Sequence, residues 1–214
     1  LQILKEGNER FRTGKRLTRD LGRQMKATAA GQHPLAVVLS CIDSRTPAEL
    51  ILDLGLGDVF SIRIAGNIIS AKVLGSMAFG CAIAGAKLIV IMGHTQCGAV
   101  TAAVKFNESQ QSVEQATGCQ HLQAVVNEIR AAIDQQEFQK LNQRAEPERV
   151  AFVNDVARRN VQKTIASILQ ESRTIHRLVD EGTIGLVGAM YDVVTGSIEF
   201  FPDETSEFID GTND

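Results

Sequence analysis

Aromatic side chains are scarce in this sequence. Tryptophan is absent, tyrosine occurs once, and all aromatic residues together make up 5% of the 214 residues. A platform on which nucleobases or sugar rings stack is therefore not expected. The chain also lacks an excess of basic residues, because 22 basic and 25 acidic side chains give a formal net charge of −3. We expect no nucleic-acid partner, since such proteins present a basic face.

Long hydrophobic runs are missing as well. A membrane span needs about 20 consecutive apolar residues, and the apolar stretch 73–90 contains Lys87 and three glycines. The first residues, LQILKEGNERF, have the spacing of an amphipathic helix and not the pattern of a secretion signal. These features predict a cytoplasmic protein without membrane insertion.

Cysteine is too infrequent for a disulfide framework in a chain of this length. The four cysteines are Cys41, Cys81, Cys97 and Cys119. Without a secretion signal, metal binding or catalysis is the better expectation for such residues. Cys81 lies in a stretch rich in alanine and glycine, where it is expected to be a small core residue.

Short apolar runs alternate with helical patterns along the first half of the chain. Strands are predicted at 33–40, 58–64 and 86–93, and helices at 47–54, at 68–86 and from His94 onward. This alternation predicts an α/β fold with a mostly parallel β-sheet flanked by helices.

The remaining segments complete a single predicted domain, 1–214. A helical arm is expected at 1–31, and two strands are expected within 183–201 around a turn at 194–196. Further helices are predicted at 118–138, 147–170 and 172–181, and an acidic tail at 202–214.

The first predicted strand is followed by a cluster of reactive side chains. If the chain stays extended there, Cys41, Asp43 and Arg45 face the same way, because side chains alternate along a strand. An arginine fork would hold the aspartate ionised and oriented. The alternative is a half-buried cysteine beside a surface ion pair.

A second cluster, GHTQCG, follows the third predicted strand. His94 and Cys97 are three residues apart, and residues at this spacing share a face of a helix. This pair alone is a weak signal, but Cys41 would complete a set of three ligands that suits zinc. Three protein ligands leave a fourth position open for water or substrate, which indicates a catalytic site. Asp43 could accept a proton from water, orient that water, or be the fourth ligand itself.

The motif CxDSR, followed about fifty residues later by HxxCG, strongly resembles the β-class carbonic anhydrases. Further similarity to that family lies at 4–11 (LKEGNERF), 57–67 (GDVFSIRIAGN), 188–192 (GAMYD) and 195–196 (TG). The resemblance covers nearly the whole chain, about residues 1–200.

This resemblance implies a zinc enzyme for the reversible hydration of carbon dioxide to bicarbonate and a proton. Cys41, His94 and Cys97 would be the zinc ligands, and Asp43 and Arg45 the catalytic dyad. It further implies that N-terminal helices embrace a neighbouring subunit in a homodimer or a higher even oligomer.

Two other functions remain open at this point. The same zinc site could hydrolyse carbonyl sulfide or carbon disulfide. Alternatively, the chain could be a non-catalytic bicarbonate-sensing or transporter-associated domain, although the intact CxDSR and HxxC motifs favour an enzyme.

Overall fold

A five-stranded sheet forms the centre of the computed structural model, which describes residues 1–109 and 111–202. Its strands are β1 (Ala36–Ser40), β2 (Val59–Arg63), β3 (Leu88–His94), β4 (Gly185–Tyr191) and β5 (Ile198–Phe200). The strand order is β2-β1-β3-β4-β5, with β4 and β5 antiparallel and all other neighbours parallel. The predicted mostly parallel sheet flanked by helices is confirmed.

Helices cover both faces of this sheet. The α-helices are α1 (Gln2–Arg12), α2 (Leu21–Thr28), α3 (Ala48–Ile51), α4 (Ala71–Ala78), α5 (Gly98–Lys105), α6 (Val113–Thr117), α7 (Leu122–Arg130), α8 (Gln135–Gln139), α9 (Glu146–Glu171) and α10 (Arg173–Asp180). Short 3₁₀ turns lie at Ala65–Asn67 and Leu141–Gln143. Within residues 1–109 and 111–202, no helix is both long and apolar enough to cross a membrane.

Two predicted helices are divided in the structure. The region 118–138 holds α7 and the start of α8, because the Asp134 carboxylate accepts from the Gln136 and Glu137 amides and begins a new helix there. The region 68–86 holds α4 and then a π-helical turn, Phe79–Ile83. Gly80 lets this turn approach the sheet, since a Cβ there would lie 2.7 Å from Val37 Cγ2. The predicted acidic tail, 202–214, lies outside the described residues from position 203 onward.

The central strand β1 is buried along its whole length, which explains its continuous apolar sequence. Alternate residues point to opposite layers. Val37 and Leu39 join the core formed with α4, α5, α7 and α9, whereas Val38 joins a smaller core with α1 and α3. Because β1, β2 and β3 run parallel, their carboxyl ends lie at one edge of the sheet, between the two packed layers.

The N-terminal arm is fastened to this framework by one buried carboxylate. Asp53 accepts hydrogen bonds from Arg10 Nε at 2.6 Å, Arg19 Nη1 at 2.5 Å and the Leu17 amide at 3.2 Å. Burial raises the pKa of Asp53, but the hydrogen bonds from Arg10 and Arg19 outweigh it and hold that pKa below its usual range. The N-terminal segment as far as Arg19 is thus held against the end of α3.

We expect the substitution Asp53→Asn to lower the free energy of unfolding by about 2 kcal/mol. Asparagine tolerates the left-handed conformation of this position (φ 46°), so the loss reflects the missing charge and not backbone strain. Urea denaturation measures the effect. Glu9→Gln, which removes an exposed pair with Arg12, is the matched control and should change stability by less than about 0.5 kcal/mol. Equal effects of the two substitutions would contradict this role of Asp53.

Candidate metal centre

Three potential metal ligands meet at the carboxyl edge of the sheet. Cys41 follows β1, His94 is the last residue of β3, and Cys97 directly precedes α5. Since β1 and β3 are parallel neighbours, the chain leaves both strands at the same place. The ligand atoms of the three side chains lie within 4.8 Å of one another, and all three residues are buried. The two sulfur atoms are 3.9 Å apart.

The geometry that joins these ligands differs from the predicted one. His94 and Cys97 do not share a helix, because β3 continues through His94 and α5 begins only after Cys97. Between them, Gln96 adopts a left-handed conformation (φ 54°), and its backbone amide donates to Asn154 Oδ1 at 2.8 Å. Likewise, β1 ends at Ser40, so a turn and not an extended strand joins Cys41 to Arg45. Both expectations about backbone geometry were wrong, although the side chains do converge.

The His94 imidazole is oriented as a metal ligand. Its Nδ1 lies 2.9 Å from the Thr95 carbonyl oxygen, which assigns the proton to Nδ1. Its Nε2 is buried and has no hydrogen-bond partner among the described residues. An unpaired buried nitrogen is costly, and ligating histidines commonly donate their other ring N–H to a carbonyl in this way. The cysteine, histidine and cysteine donors therefore fit Zn²⁺.

The two cysteines titrate as a pair. The hydrogen bond from Cys97 lowers the pKa of Cys41, and contacts with His94 and the Gly66 amide lower it further. The same contact with Cys41, together with burial, raises the pKa of Cys97. One proton therefore leaves the pair readily, whereas the second leaves with difficulty unless a cation compensates the charge.

Asp43 and Arg45 form an ion pair beside the three ligands. Arg45 donates from Nε to Oδ1 at 2.9 Å and from Nη2 to Oδ2 at 2.8 Å, and its backbone amide also donates to Oδ1 at 2.9 Å. These bonds hold the pKa of Asp43 well below its usual range. Asp43 Oδ2 lies 4.0 Å from His94 Nε2. An ionised, oriented carboxylate thus faces the ligand cluster.

Contacts from residues distant in the sequence hold this site in shape. Arg63 and Gly66 lie in the stretch 57–67 that resembles the family, whereas no motif marks Asn160. The Arg63 guanidinium donates to the carbonyl oxygens of Cys41 (3.0 Å) and Asp43 (2.5 Å). The Gly66 amide donates to Cys41 Sγ at 3.4 Å, and Asn160 Nδ2 donates to the Gly66 carbonyl at 2.8 Å. The one available signal for Asn160 is its polar side chain on the buried face of α9.

Residues 36–198 match the family profile described as carbonic anhydrase. The chain belongs to the carbonic anhydrase family. "Carbonic anhydrase 2" of Mycobacterium tuberculosis is 34% identical over 197 residues, which cover 91% of this chain and 88% of that protein. The carbonic anhydrase of Mycolicibacterium smegmatis is 33% identical over 199 residues, 92% of this chain and 90% of that protein.

Solved structures identify the β class of carbonic anhydrases. The β-carbonic anhydrase CafA of Aspergillus fumigatus superposes with a TM-score of 0.69 at 27% identity, covering 87% of this chain and 86% of that one. One of two tetrameric β-carbonic anhydrases from Sordaria macrospora superposes with a TM-score of 0.68 at 24% identity. The superposition covers 84% of this chain and 90% of that one, and it shows that the two chains share a fold. The predicted family, enzyme class and zinc cofactor of a β-carbonic anhydrase are confirmed.

Proposed function

We propose that this carbonic anhydrase hydrates carbon dioxide reversibly at an open site, with Cys41, His94 and Cys97 holding the metal and Asp43 and Arg45 acting as the catalytic dyad. The observation that carries the proposal is the ion pair beside the cluster, with Asp43 Oδ2 4.0 Å from His94 Nε2. When bound there, Zn²⁺ supplies a Lewis acid that makes water nucleophilic near neutral pH.

The hydrogen bonds of Asp43 suggest how it acts. Each carboxylate oxygen can accept about two hydrogen bonds. Oδ1 accepts two from Arg45, whereas Oδ2 accepts one and has capacity for another. We propose that Oδ2 accepts a hydrogen bond from the attacking water, so that a lone pair of that water points at the carbon of the substrate. Arg45 keeps the carboxylate aimed and ionised.

The same bonds argue against Asp43 as a resting metal ligand. Arg45 engages both carboxylate oxygens in a bidentate pair, a geometry that is strong and specific. Its Nη2 also contacts the Gln96 carbonyl at 3.3 Å, which ties the guanidinium to the turn before Cys97. Releasing Asp43 to the metal would break this arrangement, so the fourth position is left to water or substrate.

Stopped-flow hydration of carbon dioxide across a pH series tests the open site. We expect turnover at neutral as well as alkaline pH in the zinc-loaded protein. Because the pKa of Asp43 is held well below its usual range, the carboxylate stays ionised down to acidic pH, and its protonation does not limit the neutral range. Activity confined to alkaline pH would contradict the open site. If carbonyl sulfide or carbon disulfide were turned over faster than carbon dioxide, that compound would be the substrate instead.

We further propose that residues 1–214 form one domain that acts in the cytoplasm as a homodimer or a higher even oligomer. All four cysteines are free thiols, which suits a reducing compartment. Helix α2 has no buried residue in the described chain, and its Leu21 and Met25 side chains are exposed, so this part of the arm can meet a neighbouring subunit. The intact ligand set and ion pair favour an enzyme over a non-catalytic sensing domain.

A further inference from the structure

Asn160 is a buried amide in the middle of the long helix α9. It is 1% exposed, and its helical neighbours Val156, Ala157 and Val161 belong to the core. Asparagine is a poor helix former, and burying its amide costs free energy unless the amide is hydrogen-bonded. Its Nδ2 donates to the Gly66 carbonyl at 2.8 Å. The side chain therefore fixes a point in a loop 94 positions away in the sequence.

Gly66 needs such a point of attachment. Its backbone is left-handed (φ 67°), and a Cβ would lie 2.5 Å from Ile129 Cδ1 and 3.5 Å from the Ala99 Cβ. The position therefore requires glycine, but glycine leaves the backbone with wide conformational freedom. The local sequence alone does not determine where the two peptide units that flank Gly66 point.

One of those peptide units makes a hydrogen bond to the metal centre. The Gly66 amide donates to Cys41 Sγ at 3.4 Å, whereas the carbonyl on the other side of the same Cα accepts from Asn160. With the carbonyl held and the Cα packed against Ile129, the amide keeps its direction toward the sulfur. The contacts thus form a chain from α9 to a ligand atom.

We propose that Asn160 is a positioning residue of the metal centre, which acts through Gly66 to maintain the N–H···S hydrogen bond to Cys41. This inference rests on the metal centre of the proposed function. A hydrogen bond to a thiolate draws electron density away from its sulfur, so its loss leaves a more electron-rich and less well oriented ligand. Partners of ligating groups in this role commonly change metal affinity 10- to 100-fold.

Cobalt substitution tests this role, with Co²⁺ alone as the probe of the full chain. Asn160→Leu keeps most of the side-chain volume without a donor, and Asn160→Ala removes the donor without adding bulk. In both variants we expect the sulfur-to-cobalt charge-transfer band to move to longer wavelength and Co²⁺ affinity to fall about 10- to 100-fold. The matched control is Thr164→Val, a change at another buried polar residue of α9 that should leave band and affinity as in the wild type.

The outcomes separate this inference from the function on which it rests. A wild-type cobalt protein without a sulfur charge-transfer band would overturn the metal centre itself. A wild-type band that stays in place in the folded Asn160 variants, with affinity equal to that of Thr164→Val, would overturn the role of Asn160 alone. Far-ultraviolet circular dichroism identifies which variant is folded, and either variant suffices for the comparison.

Discussion

Replacing Asp43 with asparagine should lower kcat/KM for carbon dioxide hydration about 100-fold or more while zinc stays bound. Asparagine has nearly the same shape, but it carries no charge, and its NH₂ group cannot accept a hydrogen bond. Arg45 now donates to two carboxylate oxygens, and in asparagine only one oxygen would remain to accept. The acceptor that faces His94 would be lost or misdirected. Stopped-flow kinetics and zinc analysis of the same preparation measure the two effects separately.

Two further variants sharpen the result for Asp43. Arg45→Lys keeps a positive charge but removes the two-pronged contact, so we expect it to reduce turnover as well. The matched control is Asp134→Asn, a change in the carboxylate that caps the start of α8, far along the chain from the ligands. Asparagine caps a helix equally well, so turnover should stay at the wild-type level. Wild-type turnover in Asp43→Asn would remove Asp43 from the mechanism.

Replacing His94 with alanine should abolish stoichiometric zinc binding and reduce hydration about 1000-fold or more, since metal catalysis contributes several kcal/mol. In the proposed site the imidazole would supply one of three ligand atoms, and its buried Nε2 has no hydrogen-bond partner among the described residues. Two sulfur atoms 3.9 Å apart would remain without a third donor. Metal analysis after dialysis and stopped-flow kinetics report the loss.

The matched control for this change is His176→Ala. That histidine lies on α10, is exposed, and contacts Asp180 four residues later. We expect its removal to change neither zinc content nor turnover. Full zinc occupancy in His94→Ala would show that the cluster of Cys41, His94 and Cys97 is not the metal site.

The sequence is most informative where one physical constraint dominates. Strands β1 and β3 are buried on both faces, so their apolar runs are continuous and easily recognised. The meeting of Cys41, His94 and Cys97 was also predictable, because side chains at the ends of neighbouring parallel strands lie at one edge of the sheet. The predicted helical face of His94 and Cys97 was nevertheless wrong. Whether β3 ends before or after His94 depends on pairing with β4, where His94 lies opposite Tyr191.

Residues that act through the backbone are the least visible in the sequence. Arg63 holds the loop of Cys41 and Asp43 through carbonyl oxygens, and Asn160 reaches Gly66 across 94 positions. A carbonyl group is the same in every residue, so no side-chain pattern reveals which one is held. Such contacts become apparent only when the packing of α9 against the sheet is known.

The burial of Cys41, His94 and Cys97 has a consequence for how fast a bound ion exchanges with solvent. The three residues are 4%, 2% and 1% exposed, so a chelator can approach a bound ion through the open fourth position but cannot reach the three ligand atoms directly. Release then requires a transient opening of the loops at the strand ends, and its rate follows the local stability of those loops. A bound ion would therefore leave on the timescale of these openings.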